Sequence, residues 1–388
     1  MKIKLIASLS VVISSVLLGA CTTNPVTGRS EMGFVSTEKE ISIGEENYHP
    51  MQQTQGGTYV ADPELVAYVQ SVGNKLAAQS DRKLPYEFVI INDSVPNAWA
   101  LPGGKIAINR GLLLELNSEA ELAAVLGHEV VHAAARHSAK KMETGMALNI
   151  GLIVLGVSQR DSDYGRAMVA GGAVGMALLT QKYSRDAESE ADKYGIKYMV
   201  KAGYDPSAAV KLQETFVRLS EGKKPGWVEG MFASHPPSAE RVAANKVLAK
   251  QYAKAGLKTG TKIYNRKIAR LKRSKQAYED YNKAGAALKK KNYKEATKLI
   301  NKAIKKEDRE SLFYAFKGDI FEVQKKYSKA IPLYDQAIYL NPDLFYFYLR
   351  RGTSYKALNK KAKAKKDLTK SMALLPTKQA QQALKELK

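Results

Sequence analysis

With 388 residues, 45% of them hydrophobic, the chain is long enough for two domains and a sizeable core, and its single cysteine, Cys21, excludes an intrachain disulfide. The formal charge of +23 is unevenly placed: residues 261–388 hold 33 of the 61 Lys+Arg but only 12 of the 38 Asp+Glu. The basic C-terminal third is read either as solvated helix faces or as a surface for phospholipid head groups or acidic clients, and a nucleic-acid partner is not expected if the N-terminus directs export.

Residues 1–20 predict a signal peptide: Lys2 and Lys4, an apolar run from Leu5 to Leu18, then small residues. Leu18-Gly19-Ala20-Cys21 resembles the bacterial lipobox, which implies that Cys21 becomes the first mature residue and carries a lipid anchor. The alternative is an ordinary signal peptide ending near Ala20. Thr22 after the cysteine, where Asp would retain the chain elsewhere, implies the periplasmic face of the outer membrane. Anchoring by several acyl chains is stable, since each buried CH₂ contributes about 0.8 kcal/mol. Residues 21–60 are assigned to the anchor, the polar segment TTNPVTGRSEMGF as a tether or a strap on the next domain, and an N-terminal helix over 36–56. His49, before Pro50, is left out of any site.

A first domain is expected over 61–250. Leu65, Val66, Val69, Val72 and Leu76 predict a helix from about Asp62 to Gln79, and Tyr86 to Asn92 a strand. Pro102-Gly103-Gly104 makes a turn before a second strand, Lys105 to Asn109. Gly104, Lys105, Ile106, Ala107 and Ile108 form either an exposed edge to which an extended substrate adds by main-chain hydrogen bonds, or an ordinary hairpin strand. The stretch Ser118 to His137 centres the domain. Ser118 with Glu121 reads as a capping box, Leu122, Val125 and Leu126 form a buried stripe, and His128 and His132, four apart, share one helix face and can share a metal. Glu129, about 100° round the helix from His128, can reach a water on that metal without being a ligand.

Two apolar segments, 146–157 and 167–179, are too short for the ~20 residues that cross a bilayer. They read as a helical hairpin over the site, one dipping into the membrane interface, or buried core. On the next predicted helix, from Ser184, Glu188 and Asp192 are four apart. A catalytic zinc takes three protein ligands and leaves one position for water. His128, His132 and a carboxylate make that set, with Glu188 preferred and Asp192 the acceptor for a ligand imidazole. His137 does not fit a metzincin-type third ligand, because it lies five residues after His132 and Ala135 stands where that pattern needs Gly.

NAWALPGGKIAINRGLL, HEVVH, SRDAESEAD and SHPPSAERV together resemble the zinc metallopeptidase family that includes the CAAX prenyl endopeptidase, HtpX, BepA and LoiP, with the HExxH…ExxxD gluzincin pattern. The resemblance covers roughly residues 60–250. It implies one Zn²⁺ per chain, Glu188 as third ligand, Asp192 as its partner, and a Leu-Pro-Gly-Gly strand bordering the cleft. Ser234-His235-Pro236-Pro237 closes the region. His235 has three candidate roles: a fourth, blocking ligand as the resemblance suggests, a catalytic donor to the oxyanion, or a helix cap. Spanning helices are not expected here, unlike in HtpX and the prenyl endopeptidase, so a prenylated substrate is not expected.

Residues 251–276 are read as a basic linker helix and 277–388 as tetratricopeptide repeats. Ala296, Ala330 and Ala364 are 34 apart, as are Ala303, Ala337 and Ser371, and Pro342 and Pro376. The aromatics of Asp343 to Tyr348 either grip a peptide or fill the core. The fold class expected is mainly α with a small β-sheet, an α+β zincin-like peptidase domain, followed by an all-α repeat domain. The function expected is a lipid-anchored periplasmic zinc endopeptidase acting on misfolded or unassembled envelope proteins, with the repeats recruiting clients or meeting outer-membrane assembly machinery. The alternative is a repeat-bearing chaperone or scaffold at the outer membrane with a latent, gated metal site.

Overall fold

The computed structural model describes residues 21–144, 183–221 and 234–387. The predicted signal peptide and the apolar segments at 146–179 lie outside the described residues. Among the described residues no helix is long and apolar enough to cross a membrane.

The chain begins with an antiparallel pair, β1 (Cys21–Thr23) and β2 (Ser30–Met32). Asn24 turns the hairpin: its Oδ1 accepts from the Val26 and Thr27 amides at 2.9 and 3.2 Å, an Asx turn. Asn24 is fully buried and Val26 enters the main core, so this segment lies on the domain as a strap. Ser36 caps α1 (Thr37–Thr54), while Asp62 caps α2 (Pro63–Ala77), where Pro63 loses no hydrogen bond in the first turn. Leu65, Val69, Val72 and Leu76 of α2 are fully buried, as their helical spacing requires.

The three-stranded sheet holds β3 (Glu87–Ile91), β4 (Ala98–Leu101) and β5 (Lys105–Asn109) in the order β3-β5-β4. β5 pairs in parallel with β3 and antiparallel with β4. This corrects the expectation that Gly104, Lys105, Ile106, Ala107 and Ile108 form an open edge. Both hydrogen-bonding sides of β5 are taken, all five of its residues are buried, and Gly104 belongs to the turn before it. That turn needs glycine, since Gly103 and Gly104 have φ of 76° and 86° and a Cβ on Gly103 would lie 2.7 Å from the Ile41 backbone. The edge strand beside the histidine-bearing helix is β4, whose side chains are also buried.

Four helices frame the site: α3 (Glu119–Ala134), α4 (Arg185–Lys201), α5 (Ser207–Glu221) and α6 (Ala239–Tyr252). Ser118 caps α3 by accepting from the Glu121 amide, and Glu121 reaches back to the Asn117 amide at 2.8 Å, one residue before the cap itself. Thereafter α7 (Thr261–Lys267) and α8 (Ala269–Lys289) lead into helix pairs: α8 with α9 (Tyr293–Lys306), α10 (Ser311–Glu322) with α11 (Tyr327–Leu340), and α12 (Phe345–Ala357) with α13 (Lys361–Leu374), ending on α14 (Lys378–Lys385). The 34-residue period reappears in the backbone. Lys291, Lys325 and Asn359 occupy the same left-handed turn, with φ of 57°, 59° and 56°. The six small residues at that period are fully buried where paired helices meet.

The expected boundary at 276/277 falls inside α8. The stretch read as a linker also enters the core: Tyr264, Ile268 and Leu271 are fully buried in the cluster that contains the α2 and α3 stripes, and Tyr264 donates to the Leu113 carbonyl at 2.6 Å. Further contacts tie the repeats to the first domain. Gln53 donates to the Asp343 carbonyl and accepts from the Phe345 amide, and Asn92 donates to Glu310 at 2.9 Å.

Candidate active site

α3 and α4 cross at a pair of glycines. A Cβ on Gly195 would lie 3.1 Å from the His128 amide nitrogen, and one on Gly127 would lie 3.2 Å from the Gly195 carbonyl oxygen. This close approach sets the first turns of α4 against the imidazoles of α3. His128 and His132, stacked one turn apart, face each other with Nε2 atoms 2.9 Å apart. Glu188 lies 3.6 Å from His128 Nε2 and 3.4 Å from His132 Nε2. His235 joins from the segment before α6, with Nδ1 2.8 Å from Glu188 and 3.3 Å from His128 Nε2. The four residues are buried, and one donor atom from each lies within 4.8 Å of the others.

These residues fit a divalent cation. Asp192 accepts from His128 Nδ1 at 3.0 Å, so the lone pair of that ring is on Nε2, aimed at a second imidazole nitrogen and a carboxylate. Electron-rich donors at such distances require a positive charge between them. Arg241 fixes Asp192 through two hydrogen bonds of 2.8 Å and also pairs with Glu188 at 2.7 Å. Burial opposes ionisation of Glu188, but His235 and His128 outweigh it and hold the carboxyl well below its ordinary range.

Glu129 is completely buried, and neither of its oxygens has a hydrogen-bond partner among the described residues; His235 Nε2 is 3.6 Å away. Burial raises its pKa, against the opposing charges of His235 and His128. A buried carboxylate with idle lone pairs beside a ligand set is disposed to take a proton.

Of the residues singled out in the sequence, the structure brings together His128, Glu129, His132, Glu188, Asp192 and His235. It does not place β5 as an edge, and it describes the backbone of Cys21 as the start of β1. Sequence reasoning missed four neighbours. Arg241 carried only its place in SHPPSAERV. Tyr183 stacks on His132 with ring centroids 4.0 Å apart and shares a 2.9 Å hydrogen bond with Ser138. His137, excluded as a ligand, lies 2.8 Å from His132, Nδ1 to Nδ1, and 3.2 Å from Glu190. Its nearness to the pentad was the signal. Glu190, on a helix rich in acids, gave none.

Two histidines and a glutamate converging from crossed helices, with a free glutamate alongside, define a metallopeptidase centre, and the description Peptidase family M48 matches residues 63–248. Residues 63–248 thus match peptidase family M48, whose metal is zinc, and tetratricopeptide repeats follow, matched at 313–344 and 345–377. It is similar to the beta-barrel assembly-enhancing protease of Yersinia pestis, at 30% identity over 50% of this chain and 40% of that one. Further relatives are the mitochondrial metalloendopeptidase OMA1 of Schizosaccharomyces pombe, at 31% identity over 56% of this chain and 63% of that one, and the metalloprotease YcaL of Escherichia coli K12, at 32% over 46% and 65%. The chain spans about half the length of the first of the curated relatives it matches.

Proposed function

We propose that the protein is a zinc endopeptidase that hydrolyses peptide bonds of misfolded or unassembled envelope proteins at the periplasmic face of the outer membrane, anchored by lipid at Cys21. The observation that carries this reading is the convergence of His128, His132 and Glu188 beside the unpartnered carboxylate of Glu129. When bound, zinc polarises the substrate carbonyl and lowers the pKa of a water towards about 7. Glu129 takes the proton of the attacking water and passes it to the departing amide nitrogen. Asp192 and Arg241 keep the His128 ring in the tautomer that offers Nε2. A cavity of about 510 Å³ bordered by Tyr183, Arg185, Glu188, Pro237 and Arg241 gives an extended chain room beside these groups. The strand to which it would add is β4. The envelope setting rests on the lipobox resemblance and on relatives named beta-barrel assembly-enhancing protease.

The repeats recruit clients in this reading. Leu344, Phe345 and Tyr346 line a cavity of about 640 Å³ between the repeats and the first domain, together with Tyr278, Tyr281 and Arg110, whereas Phe347 fills the repeat core. Glu129→Gln is expected to lower cleavage of casein or of the chain itself by at least about a hundredfold while zinc remains bound, because the variant keeps the ligands and loses the base. Undiminished activity with zinc in place would overturn the mechanism.

The position of His235 favours a second reading. With four protein donors around one ion no corner is left for water, which is the arrangement of a closed site. In that case the chain is a repeat-bearing scaffold whose centre is shut until His235 withdraws. His235→Ala separates the two: a rise in cleavage marks a gated enzyme, and silence with zinc bound marks the scaffold.

A further inference from the structure

The support of the metal centre continues past His137 to the N-terminal strap. We propose that the β1–β2 hairpin is a working part of that centre: Asn24 holds Glu190, Glu190 holds His137, and His137 sets which nitrogen of His132 faces the metal. The proposal rests on the zinc reading above.

The relay follows from what each group can donate. Glu190 Oε1 accepts from Asn24 Nδ2 at 3.0 Å and lies 3.2 Å from His137 Nε2. An ionised carboxylate only accepts, so His137 carries its proton on Nε2 and its lone pair on Nδ1. That lone pair faces His132 Nδ1 at 2.8 Å, so the proton between the two rings belongs to His132. His132 is left with its lone pair on Nε2, on the side of His128 and Glu188. Asp192 imposes the same tautomer on His128 directly. Without Glu190, His137 is free to place its proton on Nδ1, and His132 would then turn an N–H towards the ion.

The strap secures both ends of the relay. Asn24 Nδ2 bridges Glu190 and Glu31, while its Oδ1 shapes the hairpin turn. Lys140, in the helical turn after His137, pairs with Glu31. The reversal that tucks His137 under His132 occurs at Arg136, whose φ of 63° is costly for a residue with a side chain. Its guanidinium is held by Glu40 at 2.6 Å, the Val35 carbonyl at 2.6 Å and Glu143 at 3.1 Å. Glu143 in turn accepts from the Phe34 and Val35 amides.

The test uses the full chain and two conservative substitutions. Asn24→Asp keeps an oxygen for the turn but loses the donor to Glu190; Glu190→Gln leaves the hairpin turn untouched and removes the obligate acceptor. Zinc affinity is measured by chelator competition, and the Co²⁺-substituted protein by its visible absorption. Both variants are expected to raise the zinc Kd by about tenfold or more and to shift the Co²⁺ band, with Arg29→Ala, an exposed change on the same hairpin, matching the parent. A parent-like Kd and Co²⁺ spectrum in Glu190→Gln overturns the proposal, and that variant decides if Asn24→Asp does not fold. A parent chain that takes up no zinc overturns the zinc reading itself.

Discussion

Asp192 shows how a single side chain off the metal governs the centre. Its carboxylate is buried, yet Arg241 and His128 stabilise the charged form and hold its pKa below the ordinary value. Asp192→Asn keeps the shape but offers His128 an amide in either orientation, so zinc affinity is expected to fall about tenfold, and because Arg241 loses a buried ion pair the metal-free chain is expected to unfold at a lower temperature; chelator competition and calorimetry check the two halves. The pentad and Glu188 were legible because helical spacing alone puts them on a face. Arg241 was not, because it reaches the site from a separate segment whose path no local pattern records, nor were Tyr183 and Glu190, beside and on α4, because helical spacing does not say that they meet His132 and His137.

Elements are held at distances that a few residues set. Gly195 lets α4 approach α3, and Gly195→Val forces a side chain against the His128 backbone; overpacking of this kind costs about 1–3 kcal/mol. It should reduce zinc affinity as well as stability, with Gly195→Ala intermediate, which calorimetry with and without zinc measures. At the junction of α10 with the sheet, Glu310 is buried and accepts from Tyr278, the Leu312 amide and Asn92. Burial wins over these bonds and raises its pKa above 4.5. The folded state therefore binds this proton more tightly than the unfolded one. Its contribution is fully present below pH 4.5 and is lost as pH rises through the folded pKa. Glu310→Gln keeps acceptor capacity and removes the titration, so its stability relative to the parent should increase from pH 4.5 upward. Parallel melting curves across pH 4.5–7 would contradict this. The edge strand was misplaced at this scale: alternation in Lys105–Asn109 fits a strand, but alternation does not tell a central strand from an edge one.

For the whole molecule, the apolar core runs without a break from Val26 of the strap through α2, α3 and α4 to Ile320 in α10. Ending the chain at residue 260 would remove Tyr264, Ile268 and Leu271, each worth about 1.5–3 kcal/mol of burial, and together comparable to the total stability of a domain at about 5–15 kcal/mol. The shortened protein is expected to unfold at least about 10 °C lower or to aggregate, whereas one ending at 306 keeps these residues; thermal scattering distinguishes them. The stretch reads as a linker because it is heavily basic, which hides a buried stripe at helical spacing, Tyr264, Ile268, Leu271 and Ser274.

The sequence by itself determined the helix with its paired histidines, the second helix with Glu188 and Asp192, and the 34-residue repeat, because each is a regularity of neighbours a few residues or one repeat apart. Only the tertiary structure decided which strand is the edge, that Tyr264, Ile268 and Leu271 join the core of α2 and α3, and that the strap reaches Glu190 beside the site. Those outcomes depend on distances between segments far apart in the chain, and such distances are set by the close packing of the whole molecule.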